Sequence, residues 1–208
     1  MRKAALFALP LLLAAPLVAQ QMQKPGSKDI AKISGGTYTV DPGHTLVRWT
    51  VDHLGFNDYF GIFGDSTGTL TLDPKNPNAA KVEITIPVSK LTTASAGLTA
   101  HMLRPGKDGG KPDFFGANPA DAKFVSTSVT ADGTDAKIVG NLTLNGVTKA
   151  VTLDAEFAGA GVGGRPAKEN VGFHAETTIK RSEFGIGYGI PMVSDEVELD
   201  ITVAFMKD

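Results

Sequence analysis

Beyond Tyr38, apolar and polar residues alternate with period two along most of the chain, the pattern of strands that bury one face. In KVEITIPV, Val82, Ile84, Ile86 and Val88 share one face, and Lys81, Glu83 and Thr85 take the other. In EVELDITVAF the apolar set is Val197, Leu199, Ile201, Val203 and Phe205. KIVGNLTL, AVTLDAEF and VGFHAETTI repeat the motif through Ile138, Leu142, Leu144, Val151, Leu153, Ala155, Phe157, Val171, Phe173, Ala175 and Ile179. Turn-forming clusters such as DPKNPN, ADGTD and NGVT separate these runs. Seven or eight strands, each with one apolar face, predict an antiparallel sheet closed into a barrel. A two-sheet sandwich shares the alternation, which by itself does not separate the two.

Residues 89–121 break the pattern and are too long for an ordinary loop. Within them, SAGLTAHMLR predicts a short helix with Ser95 as its cap and Leu98 and Met102 on one face. An apolar helical face must cover something, and the end of the barrel is the natural place for such a lid. RPGKDGGKP then predicts an exposed loop before Asp113, Phe114 and Phe115.

The first residues read differently. Arg2 and Lys3 precede an uncharged apolar run over residues 4–19, which predicts a secretory signal peptide spanning 1–19 with cleavage near Ala19. The run is interrupted by Pro10 and Pro16 and falls short of the roughly 20 residues of a spanning helix. No cysteine follows it, which excludes a lipoprotein anchor. The expectation is a chain exported to a periplasm, with no membrane segment after cleavage. Residues 20–36 read as a polar linker, and residues 37–208 as one barrel domain. Removing the leader leaves eighteen basic against twenty-two acidic residues, near −4, which argues against nucleic acid as a partner. The lack of cysteine removes disulfides, thiol chemistry and sulfur metal sites.

Candidate chemistry is sparse. His44 and His53 stand nine residues apart in DPGHTLVRWTVDHLGF, roughly 30 Å along a strand and on opposite faces, so they do not share a metal. His101 and His174 supply no third ligand by spacing, and no metal site is expected. His53 continues the parity of Val47, Trp49 and Val51 and is the strongly polar group this strand turns inward. It reads either as a satisfied core histidine or as the anchor for a ligand's polar end. His44, beside Asp41, reads as a turn residue. GAGVGG matches G-x-G-x-x-G, but Arg165, Pro166 and another strand follow instead of a helix, so a hairpin connection is the better reading. RSEFG reads as a surface ion pair before a glycine turn. No catalytic constellation is assignable.

The ordered segments YTVDPGHTLVRWTVDHLG, GIFG, VGNLTLNGVTKAVTL, IKRSEFG and SDEVELDIT together resemble the YceI-like family over essentially the whole chain from Tyr38 to Phe205. That resemblance implies an eight-stranded antiparallel lipocalin-like barrel with a helix beside it. It also implies a tunnel holding an amphiphilic lipid: a polyisoprenoid, a polyisoprenoid quinone or a fatty amide. Members are often periplasmic and some form dimers, so a homodimer is an expectation here. Members usually run from a histidine-leucine-arginine segment almost directly into the acidic-Phe-Phe motif; here HMLR is followed by the extra PGKDGGKP, residues 105–112, and Gly116 replaces an acid. Together these readings predict a lipid carrier with no cofactor beyond the lipid. Trp49, Val51, Phe173 and Ile201 would line the tunnel, His53 would be the polar anchor, and Phe114 and Phe115 would sit near the mouth. Small inward residues, Gly140, Ala155 and Ala175, leave room for a chain or for bulky neighbours. An enzyme acting on a small lipid through His53, and a fully packed structural stress protein, are the alternatives.

Overall fold

The computed structural model describes residues 24–208, so the expected signal peptide lies outside the described residues. The strands are β1 (Gly36–Val40), β2 (Leu46–His53), β3 (Asn57–Phe63), β4 (Thr67–Leu72), β5 (Lys81–Ile86), β6 (Thr92–Thr93), β7 (Ala122–Asp132), β8 (Asp135–Leu144), β9 (Val147–Gly163), β10 (Lys168–Lys180) and β11 (Glu196–Lys207). All pairings are antiparallel, in the order β1-β4-β5-β7-β8-β9-β10-β11, and β11 pairs back onto β1 to close the ring. The eight-stranded barrel is thus confirmed and the sandwich excluded. β2 and β3 continue the wall above β1 and β4: β11 pairs with β1 through Phe205–Lys207 and with β2 through Glu198–Thr202. The wall is interrupted at residues 41–45, between β1 and β2, and at residues 64–66, between β3 and β4. Among the described residues no helix is long and apolar enough to cross a membrane.

One end of the barrel, the helix end, is closed by residues 87–121 and 181–195. Helix α1 (Ala96–Met102) starts where its cap places it, with Ser95 Oγ accepting from Leu98 N at 3.2 Å. Met102 and Leu98 face a core of Trp49, Val51, Leu91, Phe124, Leu142, Ile179, Phe184 and Val197. Two glycines make that packing possible. A methyl group at Gly61 would lie 2.5 Å from Trp49 Cζ2, and one at Gly140 would lie 2.4 Å from Phe124 Cζ. Gly140 therefore makes room for a neighbouring ring and not for a ligand.

Arg181 departs from the surface ion pair expected of RSEFG. It is buried, and its guanidinium donates to the carbonyls of Ser194 (2.8 Å), Tyr188 (2.8 Å), Val193 (2.9 Å) and Ile186 (3.3 Å). Five fixed donors suit one side chain to gathering a loop's carbonyls. Burial lowers its pKa, and nearby Asp195 partly offsets this.

The opposite end is crossed by residues 24–35, which read as a linker but form a strap. Ser27 bridges Ala160 with hydrogen bonds of 3.0 and 2.9 Å, Lys28 pairs with Glu156, and Ile33 is buried in a second core. This strap explains the glycine-rich GAGVGG: a methyl group at Gly161 would lie 2.1 Å from Pro25 O. The glycines let two backbones approach closely. Tyr38, fully buried, donates to Glu169 Oε1 at 2.6 Å and accepts from Gly35 N at 3.1 Å, while Glu169 also accepts from Ser34. Burial, then the adjacent Glu169 carboxylate, raises the Tyr38 hydroxyl to about 12.

Candidate functional site

Inside the barrel lies an elongated cavity of about 270 Å³, close to the lower limit of roughly 300 Å³ for pockets that hold small molecules. Its wall is almost wholly apolar. Ile84, Ile86, Leu153, Leu199 and Ile201 line it and are only half-buried, although Ile84, Leu153 and Leu199 also pack against the cores at its two ends. Its width comes from one row of small residues. Ala131, Ala136, Ala155 and Ala175 stand side by side on β7, β8, β9 and β10, and the row continues into Ile201 and Val47. All six line the cavity.

The opening is at the strap end. Exposed lining residues occur only there: Ile30 of the strap, Pro74, Pro77 and Lys81 around the β4–β5 connection, and Gly133, Thr134 and Asp135 at the β7–β8 turn. At the inner limit, Phe124 and Leu142 border both the cavity and the helix-end core.

Of the seven residues expected to meet a ligand, Phe173 and Ile201 line this cavity. Phe173 stacks between Phe157 and Phe205, with ring centroids 5.9 and 6.3 Å away. The other five stand apart from it. Trp49 and Val51 are buried in the helix-end core beyond its inner limit. His53, half-buried, takes the last position of β2, where its backbone bridges Val193 at the far end of the barrel. Phe114 and Phe115 do not flank the mouth: Phe115 meets Phe63 edge-on at 6.0 Å, its N donates to Met102 O at 3.1 Å, and Phe114 packs against His101 and Tyr188. Both pack against the helix-end core, while the 105–112 insertion is a mostly exposed loop pinched off by the Phe115–Met102 hydrogen bond. There Asp113 accepts from His101 Nε2 (2.6 Å) and Arg104 Nη2 (3.0 Å), which together hold its carboxyl below the usual range. His44 is a turn residue, its Nδ1 2.7 Å from Asp41 Oδ2.

Periodicity gave no sign of Thr45 and Ser66, which occupy the two wall breaks. Both are buried and line the cavity. Thr45 Oγ1 accepts from Ala204 N at 3.2 Å, whereas Ser66 Oγ has no hydrogen-bond partner in the protein. Trp49 Nε1 shares that condition but lies outside the lining. The lining contains no histidine, and no cluster of three metal-binding side chains occurs among the described residues.

An antiparallel barrel enclosing one apolar, single-mouthed cavity defines the chain as lipocalin-like. It belongs to the YceI-like domain family, which it matches over residues 38–205. Protein YceI of Escherichia coli is 42% identical over 164 residues, covering 77% of this chain and 80% of that protein. The YCEI protein of Campylobacter jejuni superposes with a TM-score of 0.62 at 29% identity, covering 76% of this chain and 90% of that one. BcnA of Burkholderia cenocepacia shares the fold with a TM-score of 0.66 at 24% identity, over 79% and 98% of the two chains. So does a polyisoprenoid binding domain from Saccharophagus degradans, with a TM-score of 0.57 at 12% identity over 82% and 98%.

Proposed function

We propose that the barrel binds one long-chain amphiphilic lipid of the polyisoprenoid class and carries or sequesters it in the periplasm. The observation that carries this reading is the row of inward, half-buried apolar side chains around a single-mouthed cavity. A protein selected only for stability would fill such space, since unfilled apolar volume is destabilising. A chain-like ligand regains about 25 cal/mol for each Å² of apolar surface it removes from water. Branched isoprene units suit a tube whose width is set by alanines on one wall and by isoleucine and leucine on the other. The Saccharophagus domain supports the ligand class by architecture alone. Export is supported by the apolar run after Arg2 and Lys3.

Native mass spectrometry of protein purified from membrane-containing lysate tests the proposal. A non-covalent isoprenoid adduct, or uptake of added isoprenoid quinone, is expected; protein that stays ligand-free under both conditions rejects it. Ala155→Phe places a ring in the row of alanines. It should lower lipid uptake at least about tenfold while leaving the circular dichroism of the barrel intact, because the ring occupies space a ligand would take.

A further inference from the structure

The strap crosses the open end of the barrel from the β9 wall to the start of β1. It lies ahead of Tyr38, where the match to the family domain begins. Residues 24–32 are all exposed, and Ile33 is the strap side chain that is buried. A single 3₁₀ turn, Ile30–Lys32, opens with Asp29 Oδ1 accepting from Ala31 N at 3.0 Å. Residues three apart eclipse in that geometry, so Ile30 and Ile33 fall on one side. Both line the cavity, and Ile33 also belongs to the strap-end core with Leu72, Phe157 and Phe205. Ile33 therefore fills room that would otherwise prolong the cavity.

The two attachments of the strap are unequal. Toward its start it is latched to β9 by the Ser27–Ala160 bridge and the Lys28–Glu156 ion pair, whose side chains are 62% and 49% exposed. An ion pair this exposed holds weakly. Toward β1 it is anchored: Ser34 donates twice to Glu169, Lys207 donates to Gly35 O at 2.7 Å, and the buried Tyr38 hydroxyl accepts from Gly35 N. Between latch and anchor, the hydrogen bonds of residues 29–33 stay within the strap. A segment attached in this way is fixed at one end and free to lift at the other. At about 270 Å³ the cavity is small for a long-chain amphiphile. Lifting residues 24–33 withdraws Ile30 and Ile33, which widens the mouth and lengthens the apolar space.

Resting on the lipid-binding reading above, we infer that residues 24–33 are a displaceable plug that sets chain-length preference. Ile33 and the ligand compete for the strap end of the barrel. A short chain is enclosed with the plug seated. A long one expels it, while Ser34 and Gly35 keep the strap tethered to the wall.

Hydrogen–deuterium exchange of the full chain, read by mass spectrometry with geraniol or geranylgeraniol bound, tests this. The reporters are peptides holding the Ser27 and Ala160 amides, paired across the latch at 3.0 and 2.9 Å. Geraniol, the short alcohol, should leave both as protected as in the free protein. Geranylgeraniol, twice its length, should speed their exchange at least about tenfold, as for a local opening. Lys28→Ala removes the ion pair from an exposed position, so the fold is not at stake. In calorimetric titration it should tighten geranylgeraniol binding about twofold to fivefold and leave geraniol binding unchanged, because only the long chain must break the latch. Geranylgeraniol that binds without loosening the latch amides overturns the inference and leaves the lipid-binding reading standing. An equal effect of Lys28→Ala on both alcohols does the same. Binding of neither alcohol removes both.

Discussion

The two ends of the barrel are closed by different means. At the helix end, local connections fold over an aromatic core and are gathered by one buried cation, Arg181, onto four backbone carbonyls. At the strap end, residues 24–35 lie along the glycines of β9, fixed by a short β-bridge, one exposed ion pair and the Tyr38–Glu169 contact. No residue of the first closure lines the cavity. The second leaves a gap between Ile30, the β4–β5 connection and the β7–β8 turn. A barrel that must both hold its fold and admit a molecule thus concentrates stability at one end and access at the other, as expected when ligand-admitting regions are the less stable ones.

Arg181→Ala should break the contrast most severely. It strands four backbone carbonyls, that of Ile186 buried and those of Tyr188, Val193 and Ser194 part-buried, and should cost about 3 kcal/mol in urea unfolding. Retained wild-type stability would show the helix end to be held by its apolar core alone. Gly161→Val should act next, at about 1–3 kcal/mol, because its side chain collides with Pro25 O. The barrel should stay folded while limited proteolysis cuts within residues 24–35, and lipid exchange should accelerate. Slower exchange would contradict the placement of the mouth.

Tyr38 gives the strap end an alkaline limit. The unfolded hydroxyl ionises near its ordinary value of 10 and the folded one at about 12. Its stabilisation is therefore complete below pH 10 and lost as pH rises toward 12, up to about 2 kcal/mol. Thermal melts from pH 9 to 12 should show this loss in wild type and not in Tyr38→Phe. The smallest effect belongs to Asp113. Its carboxyl is held below the usual range by His101 and then Arg104, so its contribution is present above that range and disappears as pH falls through the lowered value. Asp113→Asn should flatten the acid limb of the stability profile slightly, without moving the alkaline limb.

Strand content and the Ser95-capped helix were legible because each follows from local spacing: period two, or a cap followed by apolar residues three to four apart; alternation left barrel and sandwich open, and the family resemblance pointed to the barrel. What escaped depends on register between distant strands. Ala131, Ala136, Ala155 and Ala175 are unremarkable in sequence and form the wide wall only when four strands align. Parity carries no information on height, so it did not show that His53 and Trp49 lie outside the cavity lining. Ser66, in GDSTG, falls between two strand runs and carries no periodic signal, so its burial and missing partner show only in the folded chain. The glycines of GAGVGG were rightly separated from a nucleotide loop, yet their cause, contact with residues 25–27, lies over 130 positions away in sequence.

The strap also governs how the molecule can be handled. Lys24, where the described residues begin, lies at the strap end, and Asp208 lies on the same side, its N bonded to Thr37 O. Attachment to a bead or a sensor surface directly through either of these residues turns the entrance toward the support. The Asn145–Gly146 turn between β8 and β9, at the opposite pole beside Phe184, is the place to tether the protein with its entrance facing solution.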